Sequence, residues 1–128
     1  MKFLLDTCTF LWMIASAEKL SVRAKEVIVD GGNQLFLSSV SSLEIAIKLR
    51  SGKLEFTGDP QMIIPEHMAQ AGVESLPMTH AHALYVTSLP YRHRDPFDRV
   101  LVAQAKLEEL VLLSPDPALH GYAVECVW

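Results

Sequence analysis

Four acidic residues fall at predicted junctions between strands and helices: Asp6, Glu44, Asp98 and Asp116. Carboxylates that gather in one site repel one another, so the site needs a cation to compensate their charge. Mg²⁺ meets this need because it takes oxygen ligands, usually one or two carboxylates with waters and a substrate phosphate. A bound ion of this kind activates water and neutralises a leaving oxygen. The residue types therefore indicate phosphoryl chemistry.

Each acid also has a purely structural interpretation. Asp95 is typical of a helix N-cap, and Asp98 of the acid three residues later in a capping box. Glu44 could form an i,i+4 pair with a lysine on a solvated helix face, worth only ~0.5 kcal/mol. Asp116 could begin a turn with the proline that follows it. Asp6 has the weakest structural explanation, because it ends an apolar strand and precedes an apolar helix.

Basic residues lie close to these acids in the sequence. They are Lys48, Arg50 and Lys53 after Glu44, and Arg92, His93, Arg94 and Arg99 around Asp95 and Asp98. Solvated helix ends and loops would explain them equally well. The functional alternative is that they position phosphate groups beside a metal ion. The candidates for such phosphate contacts are Lys48, Arg50, Arg94 and Arg99.

Short apolar segments that alternate with helical patterns position the acids. Strands are predicted over residues 2–6, 34–38, 72–76, 110–114 and 122–127. Helices are predicted from residue 7 or 9 to about 14, and over 22–30, 41–50, 60–71, 80–88 and 96–109, with a short turn or helix after residue 116. This alternation indicates βαβ units around a parallel sheet of four to five strands, with helices on both faces. Ligands bind at the carboxyl ends of such strands, where Asp6, Glu44 and Asp116 fall, whereas Asp98 is less constrained.

Length and composition favour one compact domain over residues 1–128, since 50% of the residues are hydrophobic. The net charge of -4 and the pI of about 5.7 weigh against a protein that binds nucleic acid by charge alone. They are compatible with an enzyme that recruits divalent cations. No apolar run reaches the ~18 residues that span a bilayer. Cys8 and Cys126 lack zinc-ligand spacing; a disulfide stays open, but reduced thiols in a cytoplasmic protein are favoured.

The first segment, MKFLLDTCTFLWMIASAEKL, has two interpretations. Lys2, the apolar run and Ala15-Ser16-Ala17 are similar to a secretory signal peptide. Asp6 would then lie inside the apolar core of the signal, where a charge costs roughly 3 kcal/mol on insertion scales. A strand that is buried on both faces explains the same apolarity. We therefore expect this segment to begin the sheet.

The sequence resembles the PIN domain, and specifically the VapC-type toxins of toxin–antitoxin systems, along essentially its whole length. The similar segments are LLDTCTFLW, SSLEIAIKLRSGKL, HRDPFDRVLVAQA and LLSPDPAL followed by a terminal strand. HRDPFDRVLVAQA is the most specific of them. The resemblance implies a three-layer α/β/α fold around the parallel sheet. It also implies an endoribonuclease that depends on Mg²⁺ or Mn²⁺.

The resemblance assigns roles to individual residues. The metal-site acids of the family fall on Asp6, Glu44, Asp98 and Asp116, with Asp95 as an adjacent acid and Thr7 and Ser114 at hydroxyl positions. We expect Asp6 and Asp98 to hold the principal ion, directly or through water. Glu44 and Asp116 are expected to complete the acidic site and to orient water or a second ion.

The resemblance also implies partners: an RNA substrate, a small inhibitory antitoxin, a homodimer and a toxin–antitoxin hetero-oligomer, with no membrane. Our hypothesis is that the RNA is cut as a single strand. Two alternatives differ in class. A phosphatase of the haloacid dehalogenase type would need a second acid two residues after Asp6, where Cys8 stands. A non-catalytic regulatory or interaction module is disfavoured because four acids are retained. Cys8 and Leu43 depart from close relatives, which often carry His and Trp there.

Overall fold

The structure is a computed structural model that describes residues 1–91 and 94–128, and its centre is a five-stranded sheet. The strands are β1 (Lys2–Leu5), β2 (Gln34–Ser38), β3 (Val73–Leu76), β4 (Val111–Leu113) and β5 (Cys126–Val127). Their order is β3-β2-β1-β4-β5, and every neighbouring pair is parallel. The predicted parallel α/β architecture is therefore confirmed.

β1 is the central strand, because it pairs with β2 on one side and with β4 on the other. Leu4 lies opposite Phe36 in β2 and Leu112 in β4. Successive side chains of a strand point to opposite faces, so Leu5 packs into one core cluster and Leu4 into the other. Both leucines are completely buried. The apolar start of the chain is thus a strand that is covered on both faces, as the sequence predicted.

Seven helices flank the sheet in the described part of the chain: α1 (Thr7–Ala15), α2 (Val22–Val29), α3 (Ser39–Arg50), α4 (Pro60–Ala71), α5 (His80–Tyr85), α6 (Pro96–Leu107) and α7 (Pro117–His120). Residues of α1, α2 and α4 cover one face, and residues of α6 and α7 cover the other. The arrangement is the three-layer α/β/α fold. Among the described residues, no helix is both long and apolar enough to cross a membrane.

Two boundaries differ from the prediction and bear on the site. α3 begins at Ser39, earlier than expected, because the Ser38 side chain accepts a backbone N–H of the first turn and caps the helix. A helix that began at residue 41, as predicted, would have Glu44 in its first turn, whereas in the structure Glu44 lies in the second turn. β5 is shorter than predicted. The ring of Tyr122 packs into the core and its hydroxyl accepts from Arg99, so this residue does not extend the strand.

Candidate active site

Acidic side chains from four separate elements line one cavity of about 370 Å³ beside the carboxyl end of β1. The lining residues are Asp6, Thr7, Cys8, Glu44, Lys48, Asp95, Asp98 and Asp116. Asp6 follows β1, Glu44 belongs to α3, Asp98 lies in the first turn of α6, and Asp116 precedes α7. The fold thus brings together the four acids predicted from the sequence, and Asp95 lies with them.

The carboxylate of Asp6 is buried where β1 becomes α1. One of its oxygens accepts the Thr9 N–H at 2.7 Å, which makes Asp6 the N-cap of α1, and the other accepts the Ser114 hydroxyl. Burial raises the pKa of Asp6, and the charge of Asp116 adds to the rise, while the hydrogen bonds from Ser114 and Thr9 oppose it. A cation in the cavity would favour the ionised carboxylate.

Glu44 has a partner on each of its carboxylate oxygens. Oε1 accepts the hydroxyl of Thr7 at 2.7 Å, and Oε2 lies 2.5 Å from the Lys48 ammonium. The Glu44 side chain is only 5% exposed, against 43% for Lys48, so the pair does not lie on a solvated helix face. The hydrogen bond to Glu44 raises the pKa of Lys48, and partial burial opposes that rise. Lys48 therefore enters the cavity as a cation.

Ser41 belongs to the same hydrogen-bonded group, although the sequence analysis did not select it. Its hydroxyl oxygen lies 2.9 Å from that of Thr7, and the side chain is fully buried. Ser41 precedes Glu44 by three residues and so shares its face of α3. That i,i+3 spacing is the signal in the sequence that could have identified Ser41.

Asp95 and Asp116 begin helices as well as lining the cavity. One oxygen of Asp95 accepts two backbone N–H groups in the first turn of α6. Asp116 accepts a backbone N–H of α7 at 2.9 Å. Their structural interpretations are therefore correct, and both carboxylates also lie in the cavity with Asp98. Ser114 fixes two acids relative to each other, because it donates to Asp6 and accepts the Asp116 backbone N–H at 3.1 Å.

The candidate phosphate contacts separate into different environments. Lys48 lines the cavity, whereas Arg50 and Arg94 are exposed and are not among its lining residues. Arg92 and His93, which the sequence analysis grouped with them, lie outside the described residues. Any contact that the two exposed arginines make with a substrate stays a prediction.

Arg99 is buried, and its guanidinium donates hydrogen bonds to residues that come before α6 in the chain. Its guanidinium donates to the carbonyls of Val86 at 3.0 Å and Pro90 at 2.9 Å, and to the Tyr122 hydroxyl at 3.3 Å. It also lies 5.2 Å from the ring centroid of Tyr91. With these partners Arg99 anchors residues 86–91, which come before α6 in the chain. Its predicted phosphate contact is not favoured by this placement.

The donor set of the cavity fits a hard divalent cation, although the donors are not assembled around one point. Carboxylate and hydroxyl oxygens are the ligands that Mg²⁺ and Mn²⁺ prefer. Within the described ranges, no group of three or more His, Cys, Asp or Glu side chains is arranged to hold a metal ion. Several acids instead accept hydrogen bonds from protein donors. Because Mg²⁺ usually takes only one or two carboxylates directly, a preformed cage of three is not required.

Cys8 places a thiol in the acidic cavity, and we expect this thiol to be unreactive. Burial, together with the charges of Asp6, Asp116, Asp98 and Glu44, raises the pKa of Cys8 to about 12. Because only the thiolate is alkylated, iodoacetamide at pH 8 should modify Cys8 on the order of a thousandfold more slowly than a free cysteine. Mass spectrometry of the Cys8 peptide measures the rate, with urea-unfolded protein as the control. Equal rates in the folded and unfolded protein would contradict the expectation.

The fold and the cavity define a class of proteins: parallel α/β proteins with a set of carboxylates at the carboxyl edge of the sheet. The chain belongs to the PIN domain family, whose model matches residues 3–125. It is similar to Ribonuclease VapC16 of Mycobacterium tuberculosis (strain ATCC 25618 / H37Rv), with 33% identity over 61 residues, or 48% of this chain. The match covers 43% of that ribonuclease, so it extends over less than half of the relative's length.

Solved structures share the fold over nearly the whole chain. VapBC2 from Rickettsia felis, bound to a DNA fragment from their promoter, matches with a TM-score of 0.72 and 13% identity, over 99% of this chain and 98% of that chain. FitAcB from Neisseria gonorrhoeae matches with a TM-score of 0.64 and 17% identity, over 98% and 96% of the two chains. At such identities the likeness shows the fold alone. The resemblance to PIN domains and VapC-type toxins is confirmed.

Proposed function

We propose that this protein is a Mg²⁺-dependent endoribonuclease and the toxin of a toxin–antitoxin pair. The observation that carries the proposal is the single cavity lined by Asp6, Glu44, Asp98 and Asp116. Carboxylates so close together repel one another, and a divalent cation relieves that repulsion. Membership of the PIN family and similarity to a ribonuclease support RNA hydrolysis as the reaction.

The acids have distinct roles in the proposed reaction. Asp6 and Asp98 would hold the principal ion, directly or through water, and Asp116 would complete the set. The Ser114 hydroxyl, which donates to Asp6 and accepts the Asp116 backbone N–H, keeps these two acids together. Glu44, whose orientation is held by Thr7, completes the acidic site and orients the attacking water. Bound Mg²⁺ or Mn²⁺ would supply Lewis-acid activation of water and neutralise the leaving oxygen.

Contacts with the RNA are expected to be few and local, because the net charge of -4 does not favour binding along a phosphate backbone. Lys48, inside the cavity, is the proposed contact nearest the reacting phosphate. Arg50 and Arg94 are exposed and could hold flanking phosphates. A single strand is the proposed substrate, since an unpaired backbone can adapt to a small local site.

The proposed inhibitory partner is a small antitoxin protein. Support comes from the solved toxin–antitoxin complexes whose fold this chain shares, which include one from Klebsiella pneumoniae. Exposed apolar side chains also offer a surface to a partner chain: Leu43 and Ile47 on α3, and Met62 on α4, are 51%, 48% and 68% exposed. On the same resemblance to toxin–antitoxin proteins, we propose that the protein forms homodimers and toxin–antitoxin hetero-oligomers and acts in the cytoplasm.

Removal of divalent cations is the direct test of the proposal. The purified protein is incubated with end-labelled single-stranded RNA in Mg²⁺, in excess EDTA, and in EDTA followed by Mg²⁺. We expect internal cleavage in Mg²⁺, loss of cleavage in EDTA, and recovery when Mg²⁺ is restored, since water activation depends on the ion.

The same assay separates the alternatives. A non-catalytic interaction module would bind RNA without Mg²⁺-dependent cutting, and that result would overturn the proposal. A metal-dependent phosphatase would release inorganic phosphate from a small phosphate monoester while leaving internal RNA bonds intact. Heat-unfolded protein, treated identically, controls for contaminating nucleases that survive heating.

A further inference from the structure

The Lys48 ammonium places a positive charge among the acids of the cavity. We infer that it takes the place of a second metal ion, so that the nuclease binds one divalent ion rather than two, an inference that rests on the proposed function. The single ion would be held by Asp6 and Asp98, directly or through water, with Asp116 beside them, while Glu44 stays paired with Lys48. Lys48 is then a positioning residue that supplies the second positive charge of the cavity.

The partners of Glu44 decide whether its carboxylate can bind a second ion. Both of its oxygens have a partner, one the Thr7 hydroxyl at 2.7 Å and the other the Lys48 ammonium at 2.5 Å. The two oxygens of Asp6 also have partners, the Thr9 N–H and the Ser114 hydroxyl, but these are neutral donors, whereas Glu44 is paired with a cation. A two-ion site needs a carboxylate that can reach the second ion, and the two ions lie roughly 3.5–4 Å apart. Binding a second ion through Glu44 would displace Lys48 or bring two cations onto the same carboxylate, where they repel each other.

The position of Lys48 lets its ammonium compensate the charge of the acids. It is the only basic residue among the described residues that line the cavity, where it lies with five carboxylates. A helix pair on a solvated face would leave both side chains in water, but the Glu44 side chain is only 5% exposed. The ammonium therefore compensates charge inside the cavity. It has three N–H donors, of which one contacts Glu44, and the others remain for a phosphate oxygen.

Stoichiometry of Mn²⁺ binding, followed without RNA, tests this inference. Free Mn²⁺ is measured by electron paramagnetic resonance during titration of the wild type, Lys48→Met, Lys48→Arg and the double variant Lys48→Met/Glu44→Gln. Methionine is close in size to the aliphatic part of the lysine side chain and keeps its helix preference but removes the charge, and arginine keeps the charge. Lys25→Met, at an exposed position on α2, is the matched control. Circular dichroism verifies that each variant is folded.

We expect one bound Mn²⁺ per chain in the wild type, in Lys48→Arg and in Lys25→Met, and two in Lys48→Met. The double variant should return to one, because Glu44 is the ligand that removal of Lys48 releases. Two ions in the wild type, or one ion in Lys48→Met, would overturn the role of Lys48 and leave the proposed nuclease standing. Absence of Mn²⁺ binding in the folded wild type would overturn the metal-dependent function, and the role of Lys48 with it.

Discussion

Asp6→Asn is expected to lower the rate of RNA cleavage by at least about a hundredfold while leaving the fold intact, a loss in the range seen when a polar catalytic group is removed. The amide oxygen of asparagine can still accept the Thr9 N–H and so keep the N-cap of α1. The amide nitrogen faces Ser114, whose hydroxyl can turn to accept. What the substitution removes is the negative charge at the end of β1, which the proposed reaction needs to hold the ion.

Asp59→Asn is the matched control for this variant. Asp59 caps α4 by accepting the Gln61 N–H at 3.0 Å, as Asp6 caps α1, but it does not line the acidic cavity. Both variants exchange a capping aspartate for asparagine, but Asp59 is exposed and lies outside the cavity, whereas Asp6 is buried in it. We expect Asp59→Asn to cut end-labelled RNA at the wild-type rate. A fully active Asp6→Asn would refute the assignment of Asp6 to the metal site.

The gathering of the acids could be predicted because it follows from the topology of a parallel sheet. β1 and β4 are neighbours, so the segments after them, which carry Asp6 and Asp116, start from the same edge. Asp98 was less constrained, since its helix leads into β4 instead of following a strand. The tight turn from Asp95 into α6 brings it to the cavity, and the Asp-Pro helix start was visible in the sequence.

The partners of these acids could not be predicted, because they depend on contacts between distant parts of the chain. Thr7 and Glu44 lie 37 residues apart, and no local pattern specifies that their side chains meet. Arg99 illustrates the same limit. Its proximity to Asp98 in sequence suggested a phosphate contact. In the structure its guanidinium instead donates hydrogen bonds to the Pro90 carbonyl and the Tyr122 hydroxyl.

Leu4→Ala is expected to destabilise the protein by about 3–4 kcal/mol, as deletion of a fully buried leucine side chain commonly does. Leu4 lies at the middle of the central strand, is completely buried, and packs in the core cluster that includes Leu101 of α6 and Leu112 of β4. Neither sheet partner of β1 can move in to fill the space without breaking its own pairing. Since domains of this size are stable by only about 5–15 kcal/mol, the loss is a large fraction of the total.

Leu84→Ala is the control for this prediction, because Leu84 on α5 is 68% exposed and its truncation should cost no more than about 0.5 kcal/mol. Urea denaturation followed by circular dichroism measures both differences, provided that the slope of the transition is unchanged. Equal midpoints for the two variants would mean that β1 is not the buried centre of the sheet. Because Asp6 directly follows β1, Leu4→Ala should also lower Mn²⁺ affinity at temperatures where the strand begins to unfold, whereas Leu84→Ala should bind Mn²⁺ as the wild type does.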